Sequence, residues 1–378
     1  MNFDDNEEQR LLAASIARFV ERDYAFATRR KIIASADGYS GDVWKTLADL
    51  GLIGLPLPSE FGGFGGGAVD AMSVMEAIGE ALIVEPFLST VALGAQFVVR
   101  AGTLAQKQRI LPAVIEGKQK LAFAQTELGA RYNLAHIATR ARKTGDGGYV
   151  IDGEKRVVIH GPAADFLVVS ARTDGEVGSP DGIRLFLVDS RAPGITQRGY
   201  QTLDALRAAD IVLTNVRVPA EAMLGDESQG LALIEDVVDY ATALVCAEAV
   251  GAIRYANEAT LEYLKTRKQF GVPIGTFQAL QHRMVDMVID YEQAKSMASL
   301  ACASVDTEAD PTARKRVVSA AKIKIADACR HVSQEAIQLH GGMGMSDEVK
   351  VSHTFRRLTM IAQQFGDAEH HLERFAKL

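Results

Sequence analysis

In the stretch RKQFGVPIGTFQALQ, residues 267 to 281, a guanidinium, an aromatic ring and a carboxamide fall close together as Arg267, Phe270 and Gln278. A guanidinium fork donates hydrogen bonds in pairs and suits phosphate oxygens. A phenyl ring offers a flat face, and a carboxamide both donates and accepts. Such a set could hold a flat, phosphate-bearing ligand; the same residues could equally rim a solvated turn. Further on, QLHGG places Gln338 ahead of Gly341 and Gly342, where the backbone could meet a ligand or simply end a helix. Proton transfer needs other groups. Glu248 is the only charge in ATALVCAEAVGAI, residues 241 to 253, and Asp367 lies in QFGDAEHH with His370 and His371 after it. A carboxylate among apolar residues has a raised pKa and can serve as a general base, unless a cation pairs with it and makes it structural.

These residues need elements to position them. Leu231 to Leu264 is almost uniformly apolar without proline, which predicts a buried helix. Leu280, Met284, Met287, Val288 and Tyr291 recur at helical spacing and predict a second helix with one face on a core. Gly271, Pro273 and Gly275 supply the turn between them. Glu7 to about Gly117 is helical and amphipathic, with a first stripe of Leu11, Leu12, Ile16, Phe19 and Val20, then Trp44, Leu47, Leu50 and Leu52. The run GLIGLPLPSEFGGFGGG, residues 51 to 67, follows no strand and reads as a turn between helices, not a phosphate loop. At Leu121 the period becomes alternating. LAFAQT, GYVIDGEKRVVIHG, DFLVVSART, IRLFLVDS and ADIVLTNVRVP are β-branched runs cut by Gly, Asp, Asn and Pro, the sequence form of an antiparallel sheet domain ending near Gly225. Ser228 can cap the long helix, Pro311 can open another, and HGGMGM, residues 340 to 345, breaks the chain before a last helical stretch.

A chain of 378 residues exceeds one ordinary core. Its formal net charge of -7 argues against a nucleic-acid binder, whose footprint is a basic patch. Cys246, Cys302 and Cys329 sit in apolar helical contexts without metal-ligand spacing, so buried free thiols are expected, with no metal site and a reducing, cytoplasmic compartment. The acidic start MNFDDNEEQR does not read as a targeting peptide, and no segment approaches the roughly 18 uncharged apolar residues of a membrane helix. A soluble protein that is neither exported nor membrane-bound is expected.

The stretch 267 to 281 resembles the R-K-x-F-G-x-x-I-x-x-x-Q signature of the acyl-CoA dehydrogenase family, and QLHGG its Q-x-x-G-G. PSEFGG resembles that family's N-terminal P-x-E-x-G-G connection, and the order of helices, small β domain and helices matches along the whole chain. The resemblance implies a mainly α fold with a β insert: an N-terminal helical domain over 1-120, a middle β-sheet domain over 121-227 and a C-terminal four-helix bundle over 228-378. It implies FAD as cofactor. Arg267, Phe270, Gln278, Gln338, Gly341 and Gly342 would reach across a dimer interface to the neighbour's flavin, and Thr126 would belong to the in-house half.

Departures from the pattern matter as much. In QTELGARYN, Thr126 and Glu127 match T-E-x-x-x-G-S, but Arg131 and Tyr132 stand where glycine and serine should be. The W-I-T/S triplet that packs on the flavin is replaced by Val157, Val158 and Ile159. The two positions where the family puts its catalytic glutamate hold Gly366 and Ala241, leaving Asp367 and Glu248 as substitutes to weigh. This is similar to the small subunits of pimeloyl-CoA dehydrogenase and of the steroid side-chain enzymes that work as α2β2 heterotetramers. The expectation is a flavin-dependent oxidoreductase of fatty-acid or steroid side-chain β-oxidation, acting on an acyl-CoA, passing electrons to electron-transfer flavoprotein or a similar acceptor, and completing a partner's FAD site. A homotetramer with an unusual base and a non-catalytic thioester-binding or scaffold subunit stand as alternatives.

Overall fold

A computed structural model describes residues 7–226 and 229–378, so the expected cap at Ser228 lies outside the described residues. The helices α1 (Glu7–Asp23), α2 (Phe26–Ala34), α3 (Gly41–Asp49), α4 (Ala68–Ala81), α5 (Ala95–Ala101) and α6 (Leu104–Ile115) come first. Of their stripes, Ile16, Phe19, Trp44, Leu47 and Leu52 are buried and Leu12, Val20 and Leu50 half-buried, while the Leu11 side chain lies outside the described residues. Local chemistry sets the ends. Ser40 accepts the Val43 N–H to cap α3, and Thr103 and Gln106 form a reciprocal capping box on α6. The glycine-rich run is a turn; Gly62 at φ 95 closes a short helical turn over Ser59–Phe61, a left-handed conformation that suits glycine.

Strands β1 (Leu121–Ala124), β2 (Arg140–Lys143), β3 (Tyr149–Ile159), β4 (Phe166–Arg172), β5 (Ile183–Asp189), β6 (Ile195–Gln201), β7 (Arg207–Val218) and β8 (Met223–Leu224) form one eight-stranded sheet in the order β6-β7-β3-β2-β4-β5-β8, with β1 on β4. The sheet is mixed, not purely antiparallel, because β1 and β2 both run parallel to β4. Besides the two-residue β8, spacing alone missed β2 and β6. Their residues RARK and ITQRGYQ are largely polar and exposed, so the alternation that marks a half-buried strand is absent. Ile151, Val158, Leu167, Val169, Phe186, Ile211 and Leu213 pack as the core of this sheet.

The last third is α7 (Gly230–Thr266), a hairpin of β9 (Lys268–Gln269) and β10 (Val272–Pro273), then α8 (Gln278–Thr307), α9 (Pro311–His340), α10 (Lys350–Gln363) and α11 (Ala368–Lys377). Pro311 opens α9 behind Asp310, whose side chain accepts the Thr312 N–H. On α8, Met284 and Met287 are buried as expected, but Val285, Val288 and Ile289 are exposed, so this face is only partly covered by its own chain. Gly79 of α4 and Gly251 of α7 let the two helix backbones meet. A Cβ on either would lie 1.9 Å from the Glu248 carbonyl oxygen or 1.8 Å from that of Glu76.

The contacts divide the chain into two compact units, one of 1–31, 67–83 and 242–378, the other of 32–66 and 84–241. The first is helical and the second holds the sheet. Among the described residues no helix is long and apolar enough to cross a membrane, and no group of His, Cys, Asp or Glu is arranged to hold a metal.

Candidate functional site

In the helical unit, backbone bonds pin Arg267 on both sides: its N–H donates to the Tyr263 carbonyl at 2.8 Å and its carbonyl accepts the Ile274 N–H at 2.9 Å. Its side chain stays exposed. Phe270 at the hairpin tip is 92% exposed and held at φ 53. That left-handed conformation costs a non-glycine residue about 1–2 kcal/mol. Gln278 begins α8, also exposed, and Gln281 donates from its amide to the Gly275 carbonyl at 2.8 Å, which ties the turn to the helix. At the end of α9, His340 stacks on Tyr263 with centroids 4.5 Å apart. This stacking brings the ends of α7 and α9 together, and with them the Arg267 hairpin and the Gln338, Gly341 and Gly342 segment. A Cβ at Gly341 or Gly342 would meet nothing within 4 Å, so the backbone here faces open space. An exposed guanidinium, ring and carboxamide beside bare backbone fit one side of a flavin dinucleotide.

The other half of the expected cradle, in the sheet unit, does not fit. Thr126 is exposed and its carbonyl accepts the Arg156 N–H at 2.7 Å. Beneath it Lys155 is wholly buried and donates to Glu127 Oε1 at 2.7 Å, Ser170 Oγ at 2.9 Å and the Gln125 carbonyl at 3.3 Å. Burial pushes the Lys155 ammonium down to about 8, with Glu127 pulling the other way. Burial also opposes ionisation of Glu127, but Lys155, Thr139 and the Ala138 N–H outweigh it and hold the carboxyl below its ordinary value. The scaffold under Thr126 is therefore intact. What should face a flavin is not. Arg131 takes φ 46 and projects into solvent, a position where glycine would be free of strain. Val157 sits in a register shift of β3 at φ 52, 46% exposed, with its N–H donated to Asp210 Oδ1 at 3.2 Å. Valine has no aromatic face, and Ile159, paired with Ala208 in the ladder, has no hydroxyl to donate.

The base positions are equally bare. Ala241 is buried in α7. Gly366 takes φ 122, and a Cβ there would lie 2.5 Å from His370 Cδ2 and 2.8 Å from His371 Nε2, so a larger residue is opposed by both backbone and neighbours. The turn is fastened from below. Lys322 donates to the Ala362 and Gly366 carbonyls at 3.2 and 2.7 Å, and His371 Nε2 donates to the Phe365 carbonyl at 3.1 Å. Burial, then the nearby Lys322 and Arg374 cations, pushes the His371 imidazole down to about 3, so it is neutral. Asp367 caps α11 by accepting the His370 N–H at 2.8 Å. Glu248, 3% exposed, takes a bidentate pair from Arg357: Nε to Oε1 at 2.6 Å and Nη2 to Oε2 at 2.7 Å. Sequence reasoning named His371 without a role and missed Arg357 and Lys322; nothing in local spacing marks which helix will bring a cation to Glu248. The cysteines are all buried and free, with burial raising the Cys246 and Cys329 thiols to about 12.

Family models for acyl-CoA dehydrogenases match along nearly the whole chain: the N-terminal domain over residues 6–118, the middle domain over 122–216 and the C-terminal domain over 228–377. Mitochondrial isovaleryl-CoA dehydrogenase of Oryza sativa is 31% identical over 377 residues, covering 97% of this chain and 89% of that protein. Butyryl-CoA dehydrogenase from Megasphaera elsdenii superposes with a TM-score of 0.91 at 28% identity, over 100% of this chain and 99% of that one. A chain of the ChsE4-ChsE5 complex from Mycobacterium tuberculosis superposes with a TM-score of 0.90 at 25% identity, over 100% of this chain and 98% of its own. Matches to all three domain models, together with the signature hairpin, lead to one conclusion: the chain belongs to the acyl-CoA dehydrogenase family of flavin-dependent oxidoreductases that act on CH–CH groups.

Proposed function

We propose that this chain is the small subunit of an α2β2 acyl-CoA dehydrogenase that forms a trans-2-enoyl-CoA, and that it completes the FAD site of an unlike partner bearing the catalytic glutamate. The observation behind this reading is an asymmetry between its two halves. The hairpin set, Arg267, Phe270 and Gln278 with Gly341 and Gly342, is exposed and free to meet a flavin outside this chain. The set that would hold a flavin of its own has Arg131, Val157 and Ile159 in place of the residues that make room, stack and donate. Both candidate carboxylates have structural partners, Glu248 on Arg357 and Asp367 on the start of α11. When bound, FAD supplies the acceptor for the β-hydride. This chain would contribute Arg267 toward phosphate, Phe270 as a packing face and the α9 end as a backbone contact, and a separate acceptor such as electron-transfer flavoprotein would reoxidise the complex. The two-chain complex among its structural relatives is in keeping with this.

Flavin content tests it. The chain purified alone is expected to carry little FAD, and co-expression with its partner to restore about one FAD per pair of unlike chains, read by visible absorbance against protein concentration. One FAD per chain in the isolated protein would overturn the reading in favour of a homotetramer.

A further inference from the structure

A cavity of about 580 Å³ opens in the sheet unit, walled by residues 36–39 before α3, the start of β1, the turn after β3, and strands β6 and β7. That volume suits a ligand of nucleotide size more than a lone ion. Its lining is cationic on balance, with Lys120, Arg191 and Arg207 against Asp37 and Asp165. Asp165 is already engaged: it accepts the Lys120 backbone N–H at 2.8 Å and lies 3.7 Å from the ammonium. The Lys120 ammonium also stands 5.7 Å from the centre of the Tyr39 ring, and Pro162 and Tyr200 supply further flat surface.

Two side chains of the wall are anchored at one end and idle at the other. Gln197 donates to the Ser190 carbonyl at 3.4 Å while its buried Oε1 has no partner. Arg207 donates from Nη2 to the Ser35 carbonyl at 2.7 Å while its buried Nε has none. Both idle atoms are covered by protein, so these two side chains brace the wall and do not offer those atoms to a ligand. Gly38 makes room for this arrangement. A Cβ there would lie 2.3 Å from Arg207 Nε.

We propose that this cavity binds a nucleoside monophosphate, its phosphate ester held by Arg191 and Arg207 and its base laid against Tyr39 and Pro162. Guanidinium forks suit phosphate, and the ring and proline suit a planar base. None of these residues belongs to the flavin half-sites or the base positions, so the proposal stands apart from the subunit reading.

The test is calorimetric titration of the purified chain with AMP at low salt, with adenosine and inorganic phosphate as separate arms. AMP is expected to bind once per chain, each fragment at least tenfold more weakly. Arg191→Ala should weaken AMP roughly tenfold or more, as loss of a charge-assisted contact does, while leaving the unfolding midpoint unchanged because Arg191 is exposed. Tyr39→Ala should weaken AMP without altering the affinity for phosphate. Absence of AMP binding, or equal AMP affinity in Arg191→Ala and the natural chain, would overturn the proposal. So would displacement of AMP by an acyl-CoA, which would put the nucleotide in a thioester site instead.

Discussion

Glu248 illustrates how a single residue changes meaning with its neighbour. Alone on an apolar helix it would be a candidate proton acceptor; against the Arg357 guanidinium it is half of a buried ion pair. Removing only one partner strands a charge. Arg357→Leu is therefore expected to destabilise the fold by about 3–5 kcal/mol, and the double change with Glu248→Leu to recover much of it, as read by denaturant unfolding. His371 gives a pH signature. Its folded pKa, about 3, lies below the ordinary histidine value near 6.5, so the unfolded chain binds the proton first as pH falls. The stability it contributes is complete above about pH 6.5 and is lost progressively toward pH 3, amounting to about 2 kcal/mol by pH 5. In His371→Gln the acid limb of a stability–pH curve should flatten; an unchanged limb would mean that other groups govern it.

At the scale of elements, the hairpin between α7 and α8 keeps strain where function is proposed. Phe270 is left-handed and almost fully exposed, and the ring contact it makes is an edge contact with Phe277 at 6.3 Å. Phe270→Gly should stabilise the isolated chain by about 1 kcal/mol while weakening flavin retention in the assembled complex. A drop in the unfolding midpoint would show that the ring is packing for its own fold. The turn between α10 and α11 is the opposite case. Lys322, His371 and Asp367 hold it from three sides, and Gly366 is the residue that the backbone and the two imidazoles permit. Helices were legible because their apolar spacing is long and regular. β2 and β6 were not, since a polar strand is made by the partners it pairs with.

For the whole molecule, the subunit reading makes a kinetic prediction. In the reconstituted complex, Glu248→Gln and Asp367→Asn should each keep most of the turnover with an acyl-CoA and an artificial electron acceptor, once equal flavin content is verified. Losing a general base costs on the order of 100-fold or more, well beyond the effect of disturbing a paired or capping carboxylate. Collapse of kcat in either variant at normal flavin loading would assign the base to that residue and remove the need for a partner glutamate.

What the chain determined by itself was the order of helical and β segments, the hairpin motif, the glycine pair after α9 and the absence of glutamate at positions 241 and 366. Each is written locally, in residue type and in a periodicity that survives without any knowledge of contacts. Tertiary structure decided which charges are free. Arg357 lies 109 residues from Glu248, Lys155 lies 28 from Glu127, and Lys322 lies 44 from Gly366. An ionisable group takes its role from the groups within a few ångströms of it, and for these residues folding supplies those groups from distant parts of the sequence.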